Sequence, residues 1–387
     1  MTASRLPYGR QTIEEDDIAA VVEALRADFL TTGPRVEAFE DAFAQSVGAR
    51  HAVACANGTA ALHMAMMALE VQPGEVCIAP SITFLATANC ARFVGAEVVF
   101  ADVDPLTGLM TPETLTEALE RVGDRKLRAI LPVHLRGDVA ELDRLAQVAR
   151  DAGAVLVEDA PHALGSAATF GNVAEKIGDA RHSAMATFSF HPVKTIATGE
   201  GGMVTTNDPD LAARLRRLRS HGMIRPPETD PWWYEMPELG FNYRLPDILC
   251  ALGQSQLAKL PRFATRRRAL VARYRDALGA LAPIVVPASS PAWSDPVLHL
   301  MVVLIDFAAA GRTRREVVDA LSEQGIGTQV HYIPVHRQPY YVNRYGSLDL
   351  PGADGWYQNC LSLPLYPGMA DGDVDRVIGA LTQVLGL

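Results

Sequence analysis

Between residues 51 and 158, short apolar runs alternate with helix-length stretches, and this alternation constrains the fold more than any other feature of the chain. The runs are 51–56, 75–78, 97–101, 129–133 and 155–158. The helical patterns between them are 60–69, 84–94, 111–121 and 139–152. Consecutive parallel strands need a crossover, and a helix is the usual one, so the pattern predicts an α/β fold with a mostly parallel sheet covered by helices. Two further strand-like runs, 186–190 and 202–206, bring the expected sheet to seven strands. An amphipathic helix over 13–27, a polar turn over 28–35 and a second helix over 36–46 precede it.

Beyond residue 245 the pattern changes. A long helical region spans 245–281, followed by a Pro-rich stretch at 283–296. A strand at 299–306, a helix at 313–324, a strand at 328–332 and a last helix at 371–385 complete the chain. At 387 residues the chain exceeds what one core usually serves. The expected division is a large domain over 1–250, N-terminal segment included, and a smaller C-terminal α+β domain over 251–387.

The net charge of −10 argues against nucleic acid or an anionic membrane as partner, since both are bound through basic surface. The five cysteines are scattered without a CxxC pair. Such usage fits reduced thiols in a cytoplasmic protein better than disulfides or a metal site. Residues 1–7 carry no signal-peptide pattern, and no apolar run approaches the roughly 18 residues of a membrane span.

Four segments carry chemistry. Asn57-Gly58-Thr59-Ala60 stands where a strand ends and a helix begins, and free N–H groups at a helix start suit a phosphate. The same residues are equally read as a turn with Thr59 as helix cap. In Val157-Glu158-Asp159-Ala160-Pro161-His162, Asp159 lies at the carboxyl end of a parallel strand, where α/β proteins hold ligands. It could also cap a following helix, and His162 alone reads as a packed or solvated histidine. Phe188-Ser189-Phe190-His191-Pro192-Val193-Lys194 sets a lysine past an apolar strand and before a Gly-rich turn. Burial there would lower its pKa and free the amine, which a Schiff-base lysine needs; without such neighbours Lys194 is a surface lysine. Ser189 adds a hydroxyl. The fourth, Leu239-Gly240-Phe241-Asn242-Tyr243-Arg244, reads as a loop with a cap before the long helix.

Taken in this order, the segments resemble the DegT-type family of sugar aminotransferases, a branch of the fold-type I enzymes that use pyridoxal 5'-phosphate (PLP). The likeness includes Leu30-Thr31-Thr32-Gly33-Pro34, Ile82-Thr83-Phe84-Leu85-Ala86-Thr87 and Leu361-Ser362-Leu363-Pro364. It implies PLP and its amine form PMP as cofactor. Lys194 would carry the cofactor, Asp159 would pair with the pyridine nitrogen, and Phe84 would stack on the ring. His162 would lie by the PLP hydroxyl, and Thr59, Ala60 and Ser189 would hold the phosphate. Asn242 would reach that phosphate from the partner subunit of a homodimer with shared sites. Related PLP or PMP sugar dehydratases have His in place of the lysine, so Lys194 argues for transamination.

Within the family, Tyr8-Gly9-Arg10-Gln11, Ser166, Arg219-Ser220-His221-Gly222-Met223 and Gln329-Val330-His331-Tyr332 look like the pseudaminic-acid branch. That resemblance implies amination at C4 of a UDP-linked 4-keto-6-deoxy N-acetylhexosamine, with glutamate as usual donor and Tyr8, His331 and Tyr332 at the substrate. A C3 or C4 aminotransferase for another dTDP-, GDP- or UDP-linked ketosugar is the alternative.

Overall fold

The computed structural model describes residues 5–387; residues 1–4, the start of the segment read for a signal peptide, lie outside the described residues. The strands are β1 (His51–Cys55), β2 (Val76–Pro80), β3 (Glu97–Ala101), β4 (Leu127–Ile130), β5 (Val155–Asp159), β6 (Ala167–Phe170), β7 (Val173–Lys176), β8 (Met185–Ser189), β9 (Gly202–Thr206), β10 (Val285–Pro287), β11 (Ser294–Asp295), β12 (Met301–Ile305) and β13 (Cys360–Leu363). The helices are α1 (Glu15–Arg26), α2 (Pro34–Val47), α3 (Gly58–Ala68), α4 (Leu85–Phe93), α5 (Pro112–Glu120), α6 (Leu142–Asp151), α7 (Pro209–Leu218), α8 (Asp247–Ala258), α9 (Leu260–Leu278), α10 (Arg314–Glu323), α11 (Pro339–Tyr345), α12 (Pro351–Asn359) and α13 (Asp371–Leu385).

Seven strands form the main sheet in the order β1-β9-β8-β5-β4-β2-β3. The neighbours from β8 to β3 pair in parallel, while β9 runs antiparallel to both β1 and β8. The expected α/β fold with a mostly parallel sheet is therefore what the chain adopts. Alternate residues of each strand enter two apolar cores on opposite faces: Val53, Cys77, Val98 and Phe100 on one, Ala52, Val76, Ile78 and Val99 on the other. Burial on both faces explains why these strands read as continuous apolar runs. A third core surrounds the antiparallel sheet β10-β12-β13, with Leu270, Tyr274, Val317 and Val377 packed against it. Leu6 joins this core, and its N–H and C=O bond Gly325 and Gly327, so the N-terminal segment lies against the C-terminal part.

Two expectations need correction. The helical region over 245–281 is two helices, α8 and α9, meeting at Lys259. Pro261 is the reason: it lacks the N–H a continuous helix would use, and its ring would crowd the carbonyl one turn back. The strand expected at 328–332 is a single bridge between Gln329 and Ser362. Past Gln329, side-chain bonds replace the ladder. The Val330 N–H donates to the Gln329 side chain (2.8 Å), His331 Nδ1 meets Ser362 Oγ (2.7 Å), and the His331 carbonyl accepts from Trp356 Nε1 (2.9 Å).

Candidate active site

The carboxyl ends of the parallel strands open on a cavity of about 930 Å³. Tyr8, Thr59, Ala60, Phe84, Asp159, His162, Ser189, Lys194, His331 and Tyr332 all line it. Of the residues picked from sequence only Asn242 does not; it is exposed on a loop bridged to Ser220.

At one side of the cavity β1 ends and α3 begins. Asn57, not Thr59, caps this helix: its side chain accepts from the Ala60 N–H at 2.8 Å. The cap occupies the Ala60 amide. The N–H groups of Gly58 and Thr59 have no acceptor among the described residues, and the Thr59 hydroxyl stands beside them. Gly58 brings Ser189 close, since a Cβ at 58 would sit 2.8 Å from the Ser189 Cβ. Two free amides at a helix start with two hydroxyls nearby suit a phosphate dianion.

Asp159 ends β5. No helix follows it, so the reading of Asp159 as a cap is excluded. Its Oδ2 accepts from the Thr87 hydroxyl, which Thr83 Oγ1 contacts in turn (2.6 Å). Its backbone is bonded on both sides, the N–H to Pro132 and the C=O from His134. Burial raises its pKa above the ordinary carboxylate value, while Thr87, Lys194 and His134 act to lower it. A cation placed beside it would favour the charged form.

Lys194 lies in the turn after β8, its N–H bonded to the His191 carbonyl (2.8 Å). Burial lowers its pKa to about 8, with the Asp159 carboxylate opposing. The chain has only four lysines. Lys126 is ion-paired with Glu75 on the surface, and exposed Lys176 bonds the Ser46 carbonyl. Lys259 is surrounded by Glu14, Asp16 and Asp17; burial acts to lower its pKa, but bonds to these carboxylates hold it above normal. Lys194 alone combines a cavity position with a lowered pKa.

Phe84, the residue before α4, is 57% exposed in the cavity wall. His162 is buried, with Nε2 3.3 Å from the Tyr332 hydroxyl. Burial first, then the Lys194 and His331 charges, hold its pKa well below normal. Burial and the Lys194 charge likewise push His331 down to about 3, and burial and the Asp159 charge raise Tyr332. The imidazoles are thus neutral at pH 7. Free phosphate donors, a half-desolvated amine, a buried carboxylate and an exposed ring face fit a phosphorylated aromatic aldehyde.

The model of the DegT/DnrJ/EryC1/StrS aminotransferase family matches residues 11–382. The chain belongs to this family. Among solved structures it is similar to PseC of Helicobacter pylori, an aminotransferase involved in the biosynthesis of pseudoaminic acid. The two are 27% identical over 99% of this chain and 100% of that one, with a TM-score of 0.90. DesV of S. venezuelae is 31% identical over the whole of both chains, with a TM-score of 0.87. The sugar aminotransferase Spr1654 of Streptococcus pneumoniae is 28% identical over 99% of each chain, TM-score 0.89, and has been solved in PLP and PMP forms. The cofactor of this DegT-family aminotransferase is PLP.

Sequence reasoning missed Asn57 as the cap, Thr87 as the residue bonding Asp159, and Arg136 and His299 behind His162. An Asn directly before a helix was a signal for the first. The others depend on contacts distant in sequence.

Proposed function

We propose that this aminotransferase moves an amino group from glutamate to C4 of a UDP-linked 4-keto-6-deoxy N-acetylhexosamine, as in pseudaminic acid biosynthesis. The observation carrying this is the convergence of Tyr8, Gln329, His331 and Tyr332, from two of the four segments resembling that branch, on the cavity that holds Lys194; Ser166 and Arg219–Met223 do not line it. The likeness to PseC supports it. The comparable identity to Spr1654, a sugar aminotransferase, keeps amination of another ketosugar as second reading.

In this reading Lys194 carries PLP, Asp159 pairs with the ring nitrogen, and Phe84 stacks on the ring. His162 faces the 3-oxygen, and Gly58, Thr59, Ala60 and Ser189 surround the phosphate. When bound, PLP supplies a carbonyl that condenses with amines and a ring that accepts electrons. Asp159 holds the ring-nitrogen proton. Lys194 Nζ would take the proton from the donor Cα and pass it to the cofactor's aldehyde carbon, and in the reverse half it would carry a proton from that carbon to the sugar C4. A pKa of about 8 keeps an appreciable share of that amine unprotonated near neutrality. His331 and Tyr332, neutral in the cavity wall, orient the sugar.

Protein loaded with PMP and mixed with candidate ketosugars tests the substrate. The 4-keto UDP sugar should restore the PLP absorbance fastest. Equal or faster return with GDP- or dTDP-ketosugars would move the protein to the second reading.

The working unit in this proposal is a homodimer, with domains dividing near residue 250. The five cysteines are all free and buried, which favours a cytoplasmic location. Asn242 is exposed and does not line its own cavity, as expected of a residue acting across a two-fold axis, although the adjacent Tyr243 does line it. Lys194→Ala and Asn242→Asp proteins, each nearly inactive alone, test this after mixing and subunit exchange. The carboxylate introduced by Asn242→Asp would set a negative charge against the phosphate. In a mixed dimer one site collects both defects and the other neither, so roughly a quarter of all sites should recover by symmetry. Exchange without recovery would mean that Asn242 does not act across the interface.

A further inference from the structure

Behind His162 lies a turn whose geometry none of the roles above uses. Arg136 is non-glycine yet has φ 64°, in the left-handed region that costs a side-chain-bearing residue on the order of 1 kcal/mol. Its guanidinium is fully buried. It pairs with Asp138 and donates to the carbonyls of Ala288 (3.3 Å) and Ser289 (2.7 Å). The next residue, Gly137, has φ 110°, and a Cβ there would meet the Val297 carbonyl at 2.5 Å and that of His162 at 3.0 Å. The turn is therefore pinned against both His162 and the segment leading into β12.

The backbone of Arg136 makes three bonds. Its N–H donates to Nδ1 of His162 at 3.3 Å, and its carbonyl accepts from the N–H groups of His299 at 2.6 Å and Leu300 at 3.4 Å. The His299 ring stacks on His162 with centroids 4.7 Å apart and 24° between planes. The other groups facing His162 are Tyr332, Lys194 and His331. An imidazole that accepts at Nδ1 and is neutral must carry its proton on Nε2.

We infer that Arg136 is a positioning residue: its anchored left-handed turn fixes His162 as the Nε2–H tautomer, so that His162 donates into the cavity. The inference rests on the reading that His162 faces the 3-oxygen of PLP. A donor there stabilises the oxygen anion, so the bound cofactor gives up its proton at a lower pH. The orphaned alternative, Nδ1–H against the Arg136 N–H, would set two donors together and leave Nε2 unable to donate. His299, stacked behind the ring and held by the Arg136 carbonyl, prevents the rotation that would exchange the two nitrogens.

The test is a spectrophotometric pH titration of the PLP holoenzyme. In His162→Phe the midpoint of the cofactor's absorbance change should rise by about one pH unit, the scale of one lost hydrogen bond to a charged oxygen. Arg136→Lys keeps a cation beside Asp138 but loses the planar fork that reaches Ala288 and Ser289. It should raise the midpoint by at least about half a unit, since a freed ring spends part of its time in the wrong tautomer. A merely structural Arg136 would lower the Tm and leave the midpoint in place, which overturns the inference. If His162→Phe itself does not move the midpoint, the reading of His162 fails instead. Neutron diffraction from the unmutated holoenzyme decides the tautomer whether or not the variants fold. A deuteron on His162 Nε2 is expected, and one on Nδ1 would overturn the assignment.

Discussion

Lys194→Ala should lower turnover by at least about 10⁴-fold, because in the proposed reading one change removes both the amine that bonds the cofactor and the base that moves the proton. The cofactor should still bind, since the free amides of Gly58 and Thr59, the hydroxyls of Thr59 and Ser189, Asp159 and Phe84 are untouched. None of the three remaining lysines can substitute. Lys126 and Lys259 are committed to ion pairs, and Lys176 lies exposed in the β6–β7 hairpin. The measurement is steady-state turnover with glutamate and the ketosugar, alongside PLP content after gel filtration. Activity within tenfold of the unmutated protein would remove Lys194 from the chemistry.

Asp159→Asn is expected to cost roughly 10³-fold in turnover with cofactor binding retained, a loss in the range of a misplaced proton in general acid–base catalysis. Asparagine matches the shape and can still accept the bond from Thr87, so the change isolates the charge. In the proposed reading, the ring nitrogen would then lose the partner that keeps it protonated, and the ring would become a poorer electron acceptor. The same change tests the electrostatics separately. Burial raises the Asp159 pKa, so ionising it at neutral pH costs folding free energy, in full once the pH exceeds its folded value. Asparagine removes that cost, and the cofactor-free protein should not lose Tm. A lowered Tm together with near-normal turnover would mark Asp159 as a structural carboxylate.

The parallel sheet was legible because its strands are buried on both faces while most of its helices, α3 excepted, bury one. Runs such as Val76–Pro80 are continuously apolar, while α6 places Leu142, Leu145, Ala146 and Ala149 on one buried face. The β6–β7 hairpin escaped notice for the opposite reason, since it is short and mostly exposed around Gly171. Helix α7 was legible but overlooked: Asp208 caps it and Pro209 is its first residue. The segment at 328–332 has a strand's composition, but side-chain bonds to Ser362 and Trp356 decide its path, and both partners lie far along the chain.

The site divides in the same way. Asp159 and Ser189 sit at strand ends and Lys194 in the turn that follows β8, where the fold predicts ligands, and their residue types match the chemistry. What tunes them came from distance. Thr87 reaches Asp159 across 72 residues, and Arg136 and His299 meet only because the turn before Asp138 packs on the segment leading into β12. Alternation and capping report neighbours in sequence, and neither carries a signal for such a pairing.

In the proposed reading a single lysine carries the cofactor, and borohydride reduction of the holoenzyme tests this most directly. Reduction fixes a pyridoxyl group on whichever amine holds PLP, and peptide mass spectrometry finds it among the four lysines. Stoichiometric labelling of the peptide containing Lys194 is the expected result. Labelling of Lys126, Lys176 or Lys259 with Lys194 unmodified would contradict the account.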